Sequence, residues 1–326
     1  MGLWKAPPLQ DALRPAGIQA EHIGSLWNLT LGLCALVFLL VLAACVTALW
    51  IAPRADAGTA PDLSSLARPE RRTWRVIGWA TAASSVGLVL LLAADAWTSR
   101  AMARMPLADA VNIELTGHQW WWEARYLDAD PARAFTTANE LHIPVGRPVL
   151  VTLRADDVIH TLWIPNLQGK KDMIPGRTAT LTLRADRPGS YRGQCAEFCG
   201  VEHALMALLV EAEPNEAFEA WAAQQRAPSA EPVDAAARRG RALFLGGSCA
   251  SCHTVAGTTA RGRKGPDLSH LAGRRTIGAG MFPNNRGHLA GWIADPQALK
   301  PGVYMPPHAL APDDLQALLA YLETLK

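Results

Sequence analysis

The chain has 326 residues, of which 50% are hydrophobic, and its formal net charge at pH 7 is +2. This length is sufficient for two or three domains of ordinary size. The nearly balanced charge gives no indication of a nucleic-acid partner, so none is expected.

The apolar residues are concentrated near the N-terminus, in two segments. No charged residue occurs at 26–51 or at 76–94. A helix of about twenty apolar residues can cross a bilayer, so we predict two membrane-spanning helices, at 26–51 and 76–97. Two buried helices of a soluble protein are the alternative. Cys34 and Cys45 lie in the first segment and are expected to be small buried side chains without chemistry of their own.

The segment at 52–75 joins the two predicted spans and is rich in arginine. Under the positive-inside rule, such a loop lies on the cytoplasmic side of the membrane. The segment at 1–25 and everything after residue 97 are then expected on the opposite side. Segment 1–25 has no short basic start followed by an apolar core, so a signal peptide is not expected there. The arginines of the loop are Arg54, Arg68, Arg71, Arg72 and Arg75.

Two further domains follow the predicted spans. Between 98 and 213, short β-prone runs alternate with turn residues, which predicts a small antiparallel β-sandwich or barrel. An alanine-rich stretch with two prolines predicts a semi-rigid linker at 214–234. Helical patterns then indicate an all-α domain at 235–326. The predicted strands are 111–115, 141–143, 149–153, 180–183 and 207–211, and the predicted helices are 235–245, 289–293 and 312–325.

Four residues with soft or imidazole side chains occur within twelve positions of the predicted sandwich. They are Cys195, Cys199, His203 and Met206, and His160 precedes them. A single zinc ion prefers a closed shell of four Cys and His ligands and has no use for a methionine. Thiolates combined with imidazole and thioether favour copper, and two cysteines can bridge two metal ions. The pattern predicts a copper electron-transfer site, with a strained Cys–Cys disulfide as the alternative.

The predicted helical domain contains a C-x-x-C-H motif, typical of covalent c-type haem attachment. Cys249 and Cys252 would form thioethers, and His253 would ligate the iron. Met305, flanked by prolines, would supply the second axial ligand. Half of a zinc site is the alternative interpretation of the motif. The competing axial ligands are Met281, His270, His288 and His308.

Together these motifs resemble subunit II of the haem–copper cytochrome c oxidases, in the bacterial branch with a fused cytochrome c domain. The resemblance extends over nearly the whole chain. It implies a multidomain membrane protein with a two-helix transmembrane hairpin, a cupredoxin-like β-sandwich or barrel, and an all-α class I cytochrome c domain. The segments that carry it are 117–122, 157–160, 171–176, 193–206, 292–297 and 300–306.

The resemblance also implies the ligands of a binuclear copper centre, CuA. His160 and His203 would each bind one copper ion, and the two cysteines would bridge both ions. Met206 and the backbone carbonyl of Glu197 would be the weak ligands. The Glu197 side chain would also contribute to a magnesium site shared with subunit I.

The resemblance also bears on Trp120 and Glu70. Trp120 would be the point at which electrons reach copper, and simple packing is the alternative. On a strand, Trp120 and Trp122 would share one face while Trp121 points to the other. Relatives carry a glutamate three residues before a tryptophan at the mouth of a proton path. Here Glu70 stands four residues before Trp74, and it is interpreted as a solvated charge.

The function implied by the resemblance is an electron relay in a bacterial inner membrane. A cytochrome c or a bc1-type complex would reduce the haem c, and electrons would pass through CuA to subunit I, where oxygen is reduced to water. Subunit III and the lipid bilayer would be further partners. The chain is expected to be an enzyme only as part of this complex and to have no catalytic residue of its own.

Other functions remain open at this stage. The same relay could feed a nitric-oxide-reducing subunit, or the chain could be a free-standing carrier or a redox sensor. A sensor would need a signalling domain, which the sequence does not show. A quinol-oxidising relative is disfavoured, because such subunits lack the copper ligands.

Overall fold

The computed structural model describes residues 7–52, 58, 60 and 70–326. Its chain divides into two compact units, His22–Arg104 and a second unit made of Met1–Glu21 with Met105–Lys326. Most of the predicted cytoplasmic loop, including Arg54 and Arg68, lies outside the described residues, as do the first six residues of the N-terminal segment.

The smaller unit consists of two long helices, α1 (Ile18–Ile51) and α2 (Arg71–Ala103). With 34 and 33 residues, each is about 50 Å long, which exceeds the thickness of a bilayer's hydrocarbon core. None of their most apolar residues is buried, so they are not the core helices of a soluble domain. The expected burial of Cys34 and Cys45 is wrong. Both thiols are exposed on α1, because the apolar residues around them face outward.

The first part of the larger unit is a sandwich of two five-stranded sheets. One sheet has the order β3-β2-β1-β5-β8 and the other β4-β10-β9-β6-β7. All five predicted strands are confirmed. The strands are β1 (Val111–His118), β2 (Trp121–Leu127), β3 (Phe135–Ala138), β4 (Glu140–Pro144), β5 (Val149–Ala155), β6 (His160–Trp163), β7 (Lys171–Met173), β8 (Ala179–Leu183), β9 (Gly189–Cys195) and β10 (Ala207–Glu213).

The prediction of a purely antiparallel sandwich is wrong at two places. β1 pairs with β5 in parallel, and β10 pairs with β4 in parallel. Between β1 and β5 the chain crosses to the other sheet to form β4, and this crossing lets the two neighbours run in the same direction. The core follows strand alternation, since Ile113 and Leu115 on β1 and Val151 and Leu153 on β5 are fully buried between the sheets.

A helix occupies the start of the predicted linker. Helix α3 (Asn215–Arg226) packs Phe218 and Ala222 against the sandwich core. These residues are four apart and therefore lie on one face of the helix. This segment forms a helix because the two apolar side chains pack together on the sandwich, although its alanine-rich composition suggested a linker. Only residues 227–234 separate α3 from the next helix.

A half-buried histidine joins α3 to the sandwich. The ring of His142 on β4 stacks on Trp221 of α3 with 4.1 Å between centroids. Its two nitrogens lie 3.1 Å from Glu140 and 2.8 Å from Glu213. Burial lowers the pKa of His142, but hydrogen bonds to the two carboxylates outweigh it and raise that pKa to about 9.

The second part of the larger unit is helical. Its helices are α4 (Ala235–Gly246), α5 (Cys249–Cys252), α6 (Arg286–Ala294), α7 (Pro296–Leu299) and α8 (Pro312–Leu322), and a small hairpin joins β11 (Thr276–Ile277) to β12 (Phe282–Pro283). The three predicted helices are confirmed, although the last ends three residues early. Gly240 allows α4 to cross α8 closely, because a Cβ at this position would lie 1.9 Å from the Ala317 carbonyl oxygen. Phe244, Leu318 and Leu322 form the core beside this crossing.

Candidate metal and cofactor sites

The donor atoms predicted from the sequence converge at one end of the sandwich. The Cys195 and Cys199 sulfurs lie 3.7 Å apart. His160 Nδ1 lies 3.8 Å from the Cys195 sulfur, and these three side chains have their ligand atoms within 4.8 Å of one another. On the other side, His203 Nδ1 is 3.6 Å and the Met206 sulfur 3.9 Å from the Cys199 sulfur.

Strand pairing accounts for this convergence. β9 ends at Cys195, and its pairing with β6 places Cys195 opposite Leu162, two residues from His160. The loop from β9 to β10 closes where the Cys195 N–H donates to the Met206 carbonyl at 2.9 Å. The Glu197 carbonyl oxygen within this loop lies 3.2 Å from the Cys195 sulfur, while the Glu197 side chain is exposed. All six predicted donors therefore lie on β6, at the end of β9 or in the loop from β9 to β10.

Glycine at position 117 leaves room for His160. A Cβ on Gly117 would lie 2.8 Å from the ring carbon Cδ2 of His160, which no ordinary contact permits. Glycine at position 200 has a comparable role in the loop from β9 to β10, residues 196–206, which we call the copper-motif loop. Its φ is +115°, and a Cβ there would lie 2.9 Å from the Trp120 ring.

An aspartate that the sequence did not single out orients His160. Asp157 Oδ1 lies 2.9 Å from His160 Nε2, which leaves Nδ1 directed at the cysteines. Burial raises the pKa of Asp157, but hydrogen bonds from His160, Val158 and Gln119 outweigh it, and the net effect lowers that pKa. A carboxylate behind a metal-binding imidazole is a common arrangement. In the sequence, only the position of Asp157 three residues before His160 indicated this role.

The two thiols lie in contact and shift each other's pKa in opposite directions. Contact with Cys199 lowers the pKa of Cys195, despite burial, and hydrogen bonds to His160 and backbone groups add to this effect. The pKa of Cys199 is raised by the same contact and by burial. The contact therefore favours one thiolate in the pair, and positively charged ions would favour loss of the second proton.

The donor set fits two metal ions better than one. It contains two thiolates, two imidazoles, a thioether and a carbonyl oxygen, whereas a tetrahedral zinc ion takes four ligands. Thiolate, thioether and imidazole are ligands that suit copper. Both Cys195 and Cys199 are free thiols here, so the structure does not contain the disulfide that was the alternative.

The C-x-x-C-H motif lies in the wall of a cavity of about 420 Å³. Cys249 and Cys252, at the two ends of α5, and His253 all line this cavity. Met305 lines it as well, in agreement with the expected axial ligand. Among the competing residues His308 also lines it, whereas Met281, His270 and His288 do not.

His253 is arranged to present one ring nitrogen to the cavity. Its Nδ1 lies 2.7 Å from the Pro266 carbonyl oxygen, so Nδ1 carries the proton and Nε2 keeps its lone pair. Burial lowers the pKa of His253, which favours the neutral, ligating form. Gly265 permits this position, because a Cβ there would lie 2.6 Å from His253 Cε1. The residues present therefore fit a haem held by thioethers and an axial histidine.

The sandwich supplies the facing wall of the same cavity. Gln119, Trp120 and Trp121 line it together with the helical residues. The expected alternation of the tryptophans is observed, since Trp120 and Trp122 belong to the sandwich core and Trp121 packs in a separate cluster with Ala138 and Ala279. All three are less than a tenth exposed. Trp120 precedes β2, and Trp121 is covered by Ala279 of the helical part. A large apolar side chain that points away from the sandwich core, as Trp121 does, indicates that another part of the protein covers it.

Two known families match this chain. The family described as "Cytochrome C oxidase subunit II, periplasmic domain" matches residues 111–213, and the cytochrome c family matches residues 237–326. The chain joins a subunit II periplasmic domain to a cytochrome c domain. The resemblance deduced from the motifs is thereby confirmed, as are the cupredoxin-like sandwich and the helical cytochrome c domain.

Named relatives agree with this assignment. "Cytochrome c oxidase subunit 2" of Alkalihalophilus pseudofirmus is 41% identical over 219 residues, which are 67% of this chain and 62% of that protein. The protein of the same name from Bacillus sp. (strain PS3) is 33% identical over 230 residues, 67% of this chain and 63% of that protein. The matches thus extend over 62–63% of the length of these two relatives.

A solved structure is similar to the subunit II domain. The periplasmic domain of subunit II of cytochrome oxidase from Bradyrhizobium japonicum is 29% identical, with a TM-score of 0.34. The comparison covers 36% of this chain and 93% of that chain.

Proposed function

We propose that this chain is the electron-relaying subunit II of a cytochrome c oxidase. It would take electrons from a donor at a covalent haem c and pass them through CuA to the haem–copper subunit I, which reduces oxygen to water. The observation that carries the proposal is the convergence of all six predicted copper donors beside a cavity lined by C-x-x-C-H. In this proposal the chain contributes electron transfer to the oxidase activity, and the oxygen chemistry belongs to subunit I.

The subunit II domain would hold two copper ions. His160 and His203 would each bind one ion, Cys195 and Cys199 would bridge both, and Met206 with the Glu197 carbonyl would be the weak ligands. When bound, the copper pair would accept and release one electron. The sandwich keeps the donors in place, and Asp157 fixes the His160 ring at 2.9 Å, so ligand movement during transfer would be small. The exposed Glu197 carboxylate would bind a magnesium ion shared with subunit I.

The cytochrome c domain would hold one haem through Cys249 and Cys252. His253 and Met305 would be its axial ligands, and a His/Met pair raises the haem potential. Trp120 lines the haem cavity, and its ring N–H donates to the Cys199 carbonyl at 2.9 Å. It would therefore connect the cavity to a copper-ligand residue.

The two long helices would anchor the chain in a bacterial inner membrane. Arg71, Arg72 and Arg75 at the start of α2 favour a cytoplasmic position for the connecting loop. Both metal-bearing domains would then lie on the periplasmic side. The partners would be subunits I and III, with a soluble or membrane-bound cytochrome c or a bc1-type complex as donor. Glu70 accepts a hydrogen bond from the Trp74 ring at 3.0 Å, which supports the interpretation of Glu70 as a surface charge.

Metal and haem analysis of the purified chain tests the proposal. We expect two copper ions and one covalent haem, with the near-infrared and paramagnetic-resonance signals of a mixed-valence copper pair. Cys195→Ser should abolish the copper signals and leave the haem spectrum intact, whereas the matched variant Cys45→Ser in α1 should keep both. Zinc in place of copper, or two copper ions retained in Cys195→Ser, would contradict the assignment.

Copurification tests the partner. An oxidase complex would bring a many-spanning subunit with further haems, and it would consume oxygen. Consumption of nitric oxide without oxygen would instead favour the related reductase, and a chain that purifies alone with both cofactors would favour a free-standing carrier.

A further inference from the structure

The cytochrome c domain is held on the subunit II domain by a buried lysine. Lys300 is 1% exposed, and its ammonium group donates to three backbone carbonyl oxygens. Two of these belong to the subunit II domain, Leu205 at 2.9 Å and Trp120 at 3.2 Å, and the third is Gly278 at 3.5 Å. A buried ammonium group is costly unless its three donors are satisfied. Lys300 therefore joins both domains, and one of its acceptors, Leu205, is adjacent to the candidate copper ligand Met206.

The backbones of the two domains approach closely on both sides of Lys300. Gly302 has a φ of +100°, and a Cβ there would lie 2.8 Å from the Val201 side chain in the copper-motif loop. Gly280 has a φ of +79°, and a Cβ there would lie 2.9 Å from the Ala207 Cβ. Next to it, the Ala207 N–H donates to the Ala279 carbonyl at 3.0 Å. Contacts this close are possible only when the two domains keep one particular relative position.

An ion pair extends the same interface. The Arg275 guanidinium donates to Glu211 at 2.6 Å and to Ser190 at 2.7 Å, both on the subunit II domain. The Arg275 backbone N–H donates to Glu140 at 2.9 Å. With Glu211 and Glu140 nearly buried, these charged contacts are directional and fix the orientation of the domain.

Tyr304, next to the expected axial ligand Met305, contacts Trp120 and Gln119, which both bond to the copper-motif loop. Its ring stacks on Trp120 with 5.6 Å between centroids and an interplanar angle of 29°. Its hydroxyl donates to Gln119 Oε1 at 2.7 Å. Gln119 Nε2 and the Trp120 ring N–H both donate to the carbonyl of Cys199, at 2.7 and 2.9 Å.

We propose that Lys300 and Tyr304 are positioning residues that hold the cytochrome c domain on the Trp120 face of the subunit II domain, so that copper receives electrons from the haem of the same chain. Trp120 is 7% exposed in this arrangement. Its face is therefore covered by this chain's own Tyr304 and is closed to an external donor. An external donor would have to reduce the haem first.

This inference rests on the proposed relay function. One electron lost by ferrous haem iron would be gained by the oxidised copper pair, and no bond forms or breaks. Tyr304 and Lys300 take no part in this step, since they only set the contact between the domains.

The first experiment measures haem-to-copper transfer in the intact oxidase after rapid photoreduction of the haem. Tyr304→Leu removes the ring, and we expect transfer to slow by about tenfold or more, since displacements of about 1 Å between reacting groups can cost about a hundredfold. Tyr304→Phe is the matched control, because it keeps the stacking and loses only the bond to Gln119. Lys300→Met should slow transfer as Tyr304→Leu does, and Lys326→Met, an exposed lysine of the same domain, should not.

The second experiment does not depend on electron transfer. Hydrogen exchange of the Ala207 amide, which donates across the interface, should accelerate by about tenfold in Lys300→Met, because loss of the ammonium leaves three buried carbonyls unpaired. Lys326→Met should leave it unchanged. An unchanged exchange rate in Lys300→Met would overturn the positioning role.

Haem and copper spectra separate failure of this inference from failure of the relay. Wild-type transfer rates in Tyr304→Leu and Lys300→Met, with both spectra intact, would overturn the inference and leave the relay standing. Absence of the copper signals in the wild-type protein would instead overturn the relay. If Tyr304→Leu loses the absorption band of methionine-ligated haem, the rate in Lys300→Met decides, since that substitution is five residues from Met305.

Discussion

Asp157→Asn tests whether the carboxylate behind His160 supports metal binding. Asp157 accepts three hydrogen bonds, from His160 Nε2 at 2.9 Å and the backbone N–H groups of Val158 at 2.7 Å and Gln119 at 2.6 Å. The oxygen of asparagine can retain the first two, but its NH₂ group would then face the Gln119 N–H. One charge-assisted bond is lost, and hydrogen bonds to charged groups contribute about 1.5–3 kcal/mol.

Two consequences follow for the variant. The free energy of unfolding should decrease by about 1.5–3 kcal/mol in the metal-free protein. Copper affinity should fall by about 10–100-fold, the usual effect of changing the outer partner of a ligating histidine, because the neutral amide oxygen is a weaker acceptor for His160 than the carboxylate. Chelator competition followed by copper absorbance measures the affinity, and urea denaturation measures the stability.

Asp156→Asn is the matched control for this prediction. Asp156 is adjacent in sequence, its side chain is 74% exposed, and its nearest basic partner is His118 at 3.5 Å. An exposed pair of this kind contributes little to stability. Equal copper affinities in Asp157→Asn and Asp156→Asn would refute the reasoning, because of these two carboxylates only Asp157 contacts the metal-binding ring.

Two further substitutions probe other parts of the molecule. The folded-state pKa of His142, about 9, lies above its unfolded value of about 6.5, so its stabilising effect is fully present below pH 6.5 or so and is lost as pH rises through about 9. Urea denaturation should show stability falling by up to about 3 kcal/mol over this range, and His142→Gln should abolish that dependence; an unchanged slope in the variant would argue against it. Gly265→Ala should reduce covalent haem content, because its Cβ would lie 2.6 Å from His253, whereas Gly273→Ala meets no atom within 4 Å and should retain the haem. Pyridine haemochrome analysis measures both, and equal haem contents would contradict the packing argument.

The sequence predicted those features that depend on local pattern. The runs at 111–115 and 149–153 became central strands because apolar residues alternate along them and one face is buried. The candidate copper and haem ligands could be predicted because their chemistry requires fixed spacings along the chain. Their convergence in space follows from the pairing of β6 with β9, which links residues more than thirty positions apart.

The features that the sequence did not predict depend on contacts between distant segments. β6 and β7 are three or four residues long and are defined by their neighbours, so they carry too short a pattern. Helix α3 was hidden by an alanine-rich composition, although Phe218 and Ala222 anchor it. Lys300 donates to backbone carbonyl oxygens. Because every residue has such an oxygen, no sequence motif identifies the residues that accept these hydrogen bonds.

The cavity around the C-x-x-C-H motif has walls from both the helical part and the sandwich, and under the proposed function this would set an order for maturation. A porphyrin would have to reach both thiols before the tryptophan side of the chamber closes over it. Haem ligation by the helical domain would then come first, and seating on the sandwich would follow as a later step of maturation. A chain trapped between these steps would carry its porphyrin with one face open to solvent, and protease sensitivity of the 227–234 connection would distinguish it from the finished protein.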